Sequence, residues 1–112
     1  MTQYYPSCGD VVLIDFSPQS GHEQLGKRPG LVISSSDFNR ITGFAVVCPI
    51  TNQQKGYPFE VIVEGAKKTT GVILSDQFKS LDWNSRGAVT VDSVSSKTVS
   101  QVTGNISKIL NI

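Results

Sequence analysis

Short runs of β-branched and other apolar residues, separated by Gly, Pro, Asn and Asp, fill most of this sequence. Branched side chains pack well on a pleated sheet, and the intervening turn residues end each run. The pattern therefore predicts a mainly β fold built from short strands. The predicted strands cover residues 11–16, 30–34, 44–49, 59–63, 71–75 and 86–91.

The C-terminal segment follows a different period, that of one face of an α-helix, and Ser95 or Ser96 can cap its start. Gly104 and many hydroxylated residues make it a poor helix former, so packing rather than propensity must stabilise it. Residues 36–41 are predicted to form one short helical turn. The apolar positions of the C-terminal helix are Val99, Val102, Ile106, Ile109 and Leu110.

With 112 residues, 38% of them hydrophobic and 17% charged, the chain is expected to form a single folded domain, residues 1–112. A domain of this size buries only about 65% of its unfolded surface, which favours association into a homodimer. Trp83 is the single Trp. We expect it in the core or at a subunit interface, because its large area is usually buried.

No apolar run approaches the roughly 20 residues that a membrane-spanning helix requires. The N-terminal residues lack the basic and apolar segments of a secretory signal, which predicts a cytoplasmic protein without membrane contact. Cys8 and Cys48 are accordingly expected as free thiols with structural roles, since free Cys behaves as a small buried hydrophobe. Their wide spacing and the single His22 argue against a metal site.

Standard nucleotide-binding, hydrolase and metalloprotease motifs are missing from the sequence, so no cofactor is predicted. The net charge of +1 also means that any polyanion must be bound locally rather than by the field of the whole molecule. Residues 17–26 are rich in turn formers and predict a long loop. Long irregular loops in small domains are often functional. His22 lies in this loop, where a solvated side chain without a chemical role is the expected reading.

Polar side chains collect at three predicted strand ends. In the first cluster, Pro29 biases Arg28 toward an extended backbone before a buried strand. The Arg28 guanidinium can clamp a phosphate through its planar donors, or it can pair with Glu23 or Asp15 as an ordinary surface charge.

The second cluster contains Thr51, which follows an apolar strand and can serve either as a turn residue or as a reactive hydroxyl. In the third, Asp76 can simply end its strand. Gln77 and Lys79 can instead face a polynucleotide, the amide contacting a base edge and the amine a phosphate.

Several segments together resemble the MazF/PemK toxins of bacterial toxin–antitoxin systems. Their order and spacing run through nearly the whole chain, and the combination of K-G-Y-P-F-E with D-Q-x-K-S is the most specific part. The matching segments are Gly9-Asp10-Val11, Asp15-Phe16, Glu23-Gln24, Lys27-Arg28-Pro29, Pro49-Ile50-Thr51, residues 55–60 and residues 71–77 with Lys79-Ser80.

The resemblance implies an SH3-like or CcdB-like small barrel that forms a homodimer and is bound by a cognate, MazE-like antitoxin. It implies a metal-independent, sequence-specific endoribonuclease that cleaves single-stranded RNA, leaves 2′,3′-cyclic phosphate and 5′-hydroxyl ends, and so inhibits translation and growth. A non-enzymatic toxin on the same barrel, such as a DNA topoisomerase poison, is the alternative, because a fold alone does not decide function.

The family's catalytic Arg and Thr fall on Arg28 and Thr51, and an acidic position linked to activity falls on Glu23. Arg is a poor acid or base at neutral pH, so Glu23 and His22 both remain candidates for proton transfer. Polar neighbours of these residues are predicted to contact RNA. They are Gln24, Lys27, Asn52, Asp76, Gln77 and Lys79.

Overall fold

The computed structural model describes residues 3–18 and 26–112, and in these ranges the chain forms seven strands and two α-helices. All strand pairs are antiparallel, in the order β4-β5-β3-β2-β1-β7 with β6 also pairing with β3. The predicted mainly β fold with a C-terminal helix is therefore confirmed. The elements are β1 (Asp10–Asp15), β2 (Lys27–Val32), α1 (Ser36–Thr42), β3 (Phe44–Thr51), β4 (Glu60–Ile62), β5 (Val72–Leu74), a 3-10 turn (Ser75–Gln77), β6 (Lys79–Asp82), β7 (Val89–Ser93) and α2 (Ser96–Leu110).

Strand β3 is the centre of the sheet because it pairs along both of its edges. Residues 47–49 pair with β2, whereas residues 44–47 pair with β6 and residues 50–51 with β5. Alternate side chains of a strand point to opposite faces, so an apolar strand such as β3 supplies two cores at once.

The two faces of the sheet carry separate hydrophobic cores. Helix α2 covers one face through Val102 and Ile106, while α1 lies beside the other end of β3. The core under α2 contains Val11, Leu31, Cys48, Ile50, Val61, Ile73 and Val102. The core on the opposite face contains Val12, Ile14, Val32, Ala45, Val47, Leu81, Trp83 and Ala88.

Helix α2 begins where the sequence predicts. The Ser95 side chain accepts a hydrogen bond of 3.2 Å from the backbone N–H of Thr98, which satisfies one of the unpaired donors of the first turn. Asn111 ends the helix in a left-handed conformation, with φ of 59°. Among the described residues, no helix combines the length and apolar character needed to cross a membrane.

Trp83 lies in the core and is only 8% exposed, as expected. Its indole Nε1 donates to the backbone carbonyl of Asn39 at 2.9 Å, and the ring of Tyr4 meets it edge-on at 5.9 Å. A buried indole N–H needs such a partner, because an unpaired one carries a desolvation penalty. The N-terminal segment is thereby packed against the sheet.

Several details differ from the sequence prediction. Strand β6 was not predicted, because Leu81 is its one apolar residue; β7 begins at Val89 rather than at residue 86. Strand β2 begins at Lys27, so Arg28 lies inside the strand and not before it. The expectation of a buried thiol is right for Cys48 and wrong for Cys8, which is exposed.

Asp92 closes the sheet by binding the loop that connects β4 and β5. Its carboxylate accepts hydrogen bonds from the backbone N–H groups of Lys67, Lys68 and Thr69 at 2.9–3.0 Å, and from the Thr69 hydroxyl at 2.7 Å. Since β4 and β7 stand at opposite ends of the strand order, Asp92 joins the two ends. These donors, above all the N–H groups of Lys67 and Lys68, hold the pKa of Asp92 well below its ordinary value of 3.8.

Two glycines give opposite predictions for substitution by Ala. At Gly30 a methyl group would lie 2.5 Å from Cγ1 of Val47 and 2.8 Å from Cζ of Phe16, so Gly30→Ala is expected to cost about 1–3 kcal/mol through overpacking. At Gly104 in α2 no atom lies within 4 Å of the added methyl group, so Gly104→Ala should add about 0.5–1 kcal/mol through helix propensity. Urea unfolding measures both values, and equal effects of the two substitutions would contradict this packing.

Asp92→Asn is expected to lower the melting temperature at neutral pH, because the amide presents N–H groups to donors of the loop. A carboxylate with a depressed folded-state pKa stabilises the fold above its unfolded pKa, 3.8, and loses this contribution as the pH falls toward the folded-state value. The difference in melting temperature between wild type and variant should therefore shrink in acid. Thermal denaturation followed by circular dichroism across that pH range tests this, and a pH-independent difference would be evidence against the ionic role of Asp92.

Candidate active site

Arg28 and Thr51 lie at the same edge of the sheet. The β2–β3 register pairs Gly30 with Pro49. From that pair, Arg28 is two residues toward the start of β2 and Thr51 is two residues toward the end of β3. Because the two strands are antiparallel, both steps lead in the same direction, so the two predicted catalytic residues lie toward the same end of neighbouring strands.

The alternation of side chains also places Arg28 and Thr51 on one face. In β2, Arg28 lies four residues before Val32, so both side chains are on the same face of the sheet. In β3, Thr51 lies four residues after Val47 and shares its face in the same way. Val32 and Val47 both belong to the core opposite α2. Arg28 is exposed, and its side chain forms no ion pair within residues 3–18 and 26–112. The alternative pairing with Asp15 is therefore not found, while the alternative pairing with Glu23 involves a residue outside the described ranges.

Thr51 serves as a turn residue without using up its hydroxyl. Its Oγ1 accepts a hydrogen bond of 3.1 Å from the backbone N–H of Gln53, which begins the turn after β3. The hydroxyl proton donates to no residue in the part of the chain that the structure describes. The turn thus orients the oxygen and leaves an O–H donor beside Arg28.

Gly71, which directly precedes β5, lies against Thr51 at a place where only Gly fits. Thr51 pairs with Val72, and Gly71 has φ of +113°, a conformation that residues with a Cβ rarely adopt. A methyl group here would collide with the backbone carbonyl oxygen of Thr51 and lie 2.9 Å from Oδ1 of Asn52. The missing side chain of Gly71 therefore allows its backbone to pack directly against the backbone of Thr51.

A cleft of about 150 Å³ opens next to Thr51. It offers hydroxyl, amide, ammonium and carboxylate groups to a ligand, and its lining residues are Thr51, Gln53, Lys55, Tyr57, Glu60, Leu74 and Gln77. Of the predicted RNA-contacting residues, the structure therefore places Gln77 beside Thr51.

Asp76 holds Tyr57 at this cleft. The Tyr57 hydroxyl donates to Oδ1 of Asp76 at 2.6 Å, and this hydrogen bond is the main cause that raises the pKa of Tyr57 to about 12. Asp76 lies in the 3-10 turn after β5 and binds a side chain 19 residues away, so it does more than end the strand. The glutamate Glu60 fixes the same loop, since its carboxylate accepts from the backbone N–H groups of Lys55 and Gly56 at 2.9 and 2.8 Å.

The two predicted lysines occupy different positions. Lys79 is the first residue of β6, exposed and opposite Val47, which gives it the same face as Arg28 and Thr51. Its partner Val47 is four residues from Thr51 along β3, a separation of about 13 Å at the usual rise of a strand. Lys27 alternates with Arg28, and its Nζ lies against Gly87. The structure therefore does not bring Lys27 to the face of Arg28.

Glu23, Gln24 and His22 lie outside the described residues. Arg86 binds the backbone that leads toward these residues. Its Nη1 donates to the backbone carbonyls of Asp15 and Ser17 at 2.9 and 2.5 Å. Such a role leaves no signal in local sequence spacing, because the partners are about 70 residues apart in the chain.

Two other kinds of chemistry find no support at the site. Burial raises the pKa of the Cys48 thiol to about 12, so Cys48 stays protonated in the core. No group of three or more His, Cys, Asp or Glu side chains able to hold a metal ion occurs among residues 3–18 and 26–112. The chemical groups assembled here are a guanidinium and a hydroxyl that converge on one face, which suits a phosphate.

Comparison with known proteins identifies relatives along almost the whole chain. The family model described as "PemK-like, MazF-like toxin of type II toxin-antitoxin system" matches residues 7–110. The endoribonuclease toxin MazF of Escherichia coli strain K12 is 38% identical over 110 residues, which cover 98% of both chains. Endoribonuclease PemK of Escherichia coli is 36% identical over 106 residues, covering 91% of this chain and 80% of that protein.

Solved structures agree with this assignment. The crystal structure of MazF (Form-I) from Deinococcus radiodurans superimposes with a TM-score of 0.88 and 40% identity, covering 98% of this chain and 100% of that one. The MazE-MazF (Form-II) structure from the same organism has a TM-score of 0.86 and 34% identity, with 98% and 99% coverage.

Proposed function

Because the chain belongs to the PemK-like, MazF-like family of toxins of type II toxin–antitoxin systems, we propose that it is an endoribonuclease toxin that cleaves single-stranded RNA without a metal ion or cofactor. The observation that carries this proposal is the placement of Arg28 and Thr51 on one face, at one edge of the sheet. The similar proteins MazF and PemK are named endoribonucleases, which favours a nuclease over a non-enzymatic toxin.

In the proposed reaction, the ribose 2′-oxygen attacks the adjacent phosphorus, and the bond from phosphorus to the 5′-oxygen breaks. The 2′-hydroxyl loses its proton and the departing 5′-oxygen gains one, which leaves a 2′,3′-cyclic phosphate and a 5′-hydroxyl. Negative charge grows on the non-bridging oxygens, where the Arg28 guanidinium and the Thr51 hydroxyl stabilise it. Strand pairing fixes the backbone of Arg28 and of Thr51, so both groups extend from a rigid base.

Glu23 and His22 are the candidates for proton transfer, because arginine side chains are in general poor acids and bases. Both belong to the predicted loop after Ser17, and Arg86 binds the backbone that leads toward it. The pH profiles of the cleavage rate for Glu23→Gln and His22→Ala distinguish them, since removal of the base removes the limb of the profile that it controls.

The RNA is proposed to follow the face shared by Arg28, Thr51 and Lys79. Gln77 offers an amide to a base in the adjoining cleft, and Lys79 offers an ammonium group to a phosphate. Asp76 is proposed to contact RNA through Oδ2, which has no partner in the described part of the chain, and to position the Tyr57 hydroxyl through Oδ1. Asn52, another predicted RNA contact, directly follows Thr51. Gln24 belongs to the segment that the sequence predicts to be a loop. Lys27 can contact the RNA only where the RNA bends around the edge of the sheet.

A defined RNA is expected to be cleaved in excess chelator, and mass spectrometry should find 2′,3′-cyclic phosphate and 5′-hydroxyl ends. Arg28→Ala and Thr51→Ala should each slow cleavage about 100-fold or more, because each removes one transition-state donor. Arg28→Lys should restore activity only in part, since an ammonium group lacks the planar fork.

The matched control is Arg40→Ala, which removes an exposed Arg that pairs with Asp37 on α1, away from the site. It should leave the rate unchanged. Fragments with 5′-phosphates, activity that requires added magnesium, or normal turnover by Arg28→Ala would each contradict the proposed chemistry.

The partners proposed for this chain are a second copy of itself and a cognate antitoxin. The single protomer presents few basic residues on the Arg28 face, and a two-fold axis would double them on one continuous RNA groove. Large apolar side chains such as Ile62 (58% exposed) and Leu110 (49%) remain uncovered in the single chain. MazE-MazF complexes among the similar structures support an antitoxin partner.

Sedimentation is expected to show a homodimer at micromolar concentration, and the antitoxin should inhibit by occupying the RNA groove. Inhibition should therefore be competitive with RNA and weaken at high salt, because charged contacts are screened. A fully active monomer would rule out the shared groove, and non-competitive inhibition would rule out the overlap of the two ligands.

A further inference from the structure

We propose that the Thr70 hydroxyl positions the side chain of Asn52 and fixes it as a hydrogen-bond donor toward RNA. This inference rests on the proposed function, since it assigns Asn52 to the RNA-binding surface. It adds a positioning residue, Thr70, which lies on the loop between β4 and β5 and touches no reacting atom. It also names the chemistry that Asn52 recognises, an acceptor group of the RNA.

The contact itself joins two exposed side chains next to the catalytic Thr. Oγ1 of Thr70 donates to Oδ1 of Asn52 at 3.1 Å. Asn52 directly follows Thr51, and Thr70 precedes Gly71, whose missing Cβ allows the close approach to Thr51 and Asn52. The Thr51–Val72 pair sets the two segments side by side. The hydrogen bond thus spans two segments that strand pairing already holds together.

The loop that carries Thr70 is fixed at its other end by Asp92. The carboxylate of Asp92 binds the three residues immediately before Thr70 through their backbone N–H groups. Thr70 is therefore held between this anchor and the Thr51–Val72 pair of β3 and β5. A donor that is already ordered loses little conformational entropy when it binds Asn52, so the contact can be effective even at the surface.

Occupation of Oδ1 decides what Asn52 can offer to a ligand. An Asn side chain has one acceptor oxygen and two N–H donors. With Oδ1 bonded to Thr70, Nδ2 remains for the ligand and has no partner among the described residues. The group it selects is an acceptor: a carbonyl or ring nitrogen of a base, or a phosphate oxygen. A base amino group at the same place would have to share Oδ1 with the Thr70 hydroxyl, whereas an acceptor meets the unused Nδ2 donors.

The decisive comparison is Thr70→Val against Thr70→Ser. Valine has the shape of Thr without the hydroxyl, whereas Ser keeps the donor. Affinity is measured for a non-cleavable RNA carrying a 2′-deoxyribose at the cleaved position, and KM and kcat for the cleavable one. Thr70→Val should weaken affinity and raise KM by roughly 3- to 10-fold, the worth of one hydrogen bond, and leave kcat unchanged. Thr70→Ser should behave as the wild type.

Coupling to Asn52 separates positioning from a general effect on the fold. Asn52→Ala should weaken RNA binding, and adding Thr70→Val to it should cause no further loss, because the partner is already gone. The matched control Thr103→Val removes a Thr hydroxyl that bonds only to carbonyls of α2, and should change none of these values.

A library of RNA sequences identifies the acceptor. If Asn52 reads a base, Thr70→Val relaxes the preference at one nucleotide, because the freed amide can rotate and present its oxygen. If it binds a phosphate, affinity falls equally for all sequences. Either result supports the assignment of Asn52 as a donor, and Asn52→Asp, which replaces the donor with an acceptor, should bind more weakly than Asn52→Ala.

Three results would overturn the proposal: normal affinity of Thr70→Val, equal damage by Thr70→Ser, or additive losses in the double variant. Failure of the proposed function gives a different result, in which the wild type binds RNA but does not cleave it. In that case the affinities for the non-cleavable RNA alone decide the role of Thr70. A wild type that neither binds nor cleaves RNA would refute both proposals.

Discussion

The register of β2 against β3 is the constraint on which the site depends. A slip of one residue would turn Arg28 toward the face covered by α2, because side chains alternate along a strand. Gly30 fixes this register from within, since the ring of Phe16 and the branched side chain of Val47 occupy the space above it. The same residues that exclude a side chain at position 30 therefore determine the direction in which the guanidinium points. The packing of Phe16 and Val47 over Gly30 thus contributes both to the core and to the geometry of the site.

The spacing of apolar residues was sufficient to predict most strands because burial on a sheet imposes a period of two, and α2 because burial against a sheet imposes the helical period. It failed for β6, where polar residues flank Leu81. That strand forms through its backbone hydrogen bonds to β3, which any residue can make. The anchoring of the β4–β5 loop by Asp92 was missed for a similar reason. A carboxylate that binds backbone N–H groups more than 20 residues away has no local signature.

The residues of the candidate site also separate into those with a signal in the sequence and those whose contacts depend on the tertiary structure. Arg28 and Thr51 were identified by resemblance to a family, and the sheet register then explains how residues 23 positions apart lie toward the same end of neighbouring strands. Asp76 was assigned to RNA, whereas its visible partner is Tyr57. The contacts of Arg86 with Ser17 and of Thr70 with Asn52 were not predicted, because they depend on the tertiary structure. Sequence patterns thus identified the groups that meet the ligand more readily than those that hold these groups in place.

The position of the single Trp makes the molecule report on its own folding. Trp83 lies in the core beside Gly43, to whose carbonyl its backbone N–H donates, at the end of β3 opposite Thr51. Its indole emission will shift when that core hydrates, and energy transfer from Tyr4 will cease when the N-terminal segment detaches. Neither Trp83 nor Tyr4 lines the cleft beside Thr51, so a ligand bound in that cleft does not contact either ring. Intrinsic fluorescence therefore separates unfolding from ligand binding in this chain without any added label.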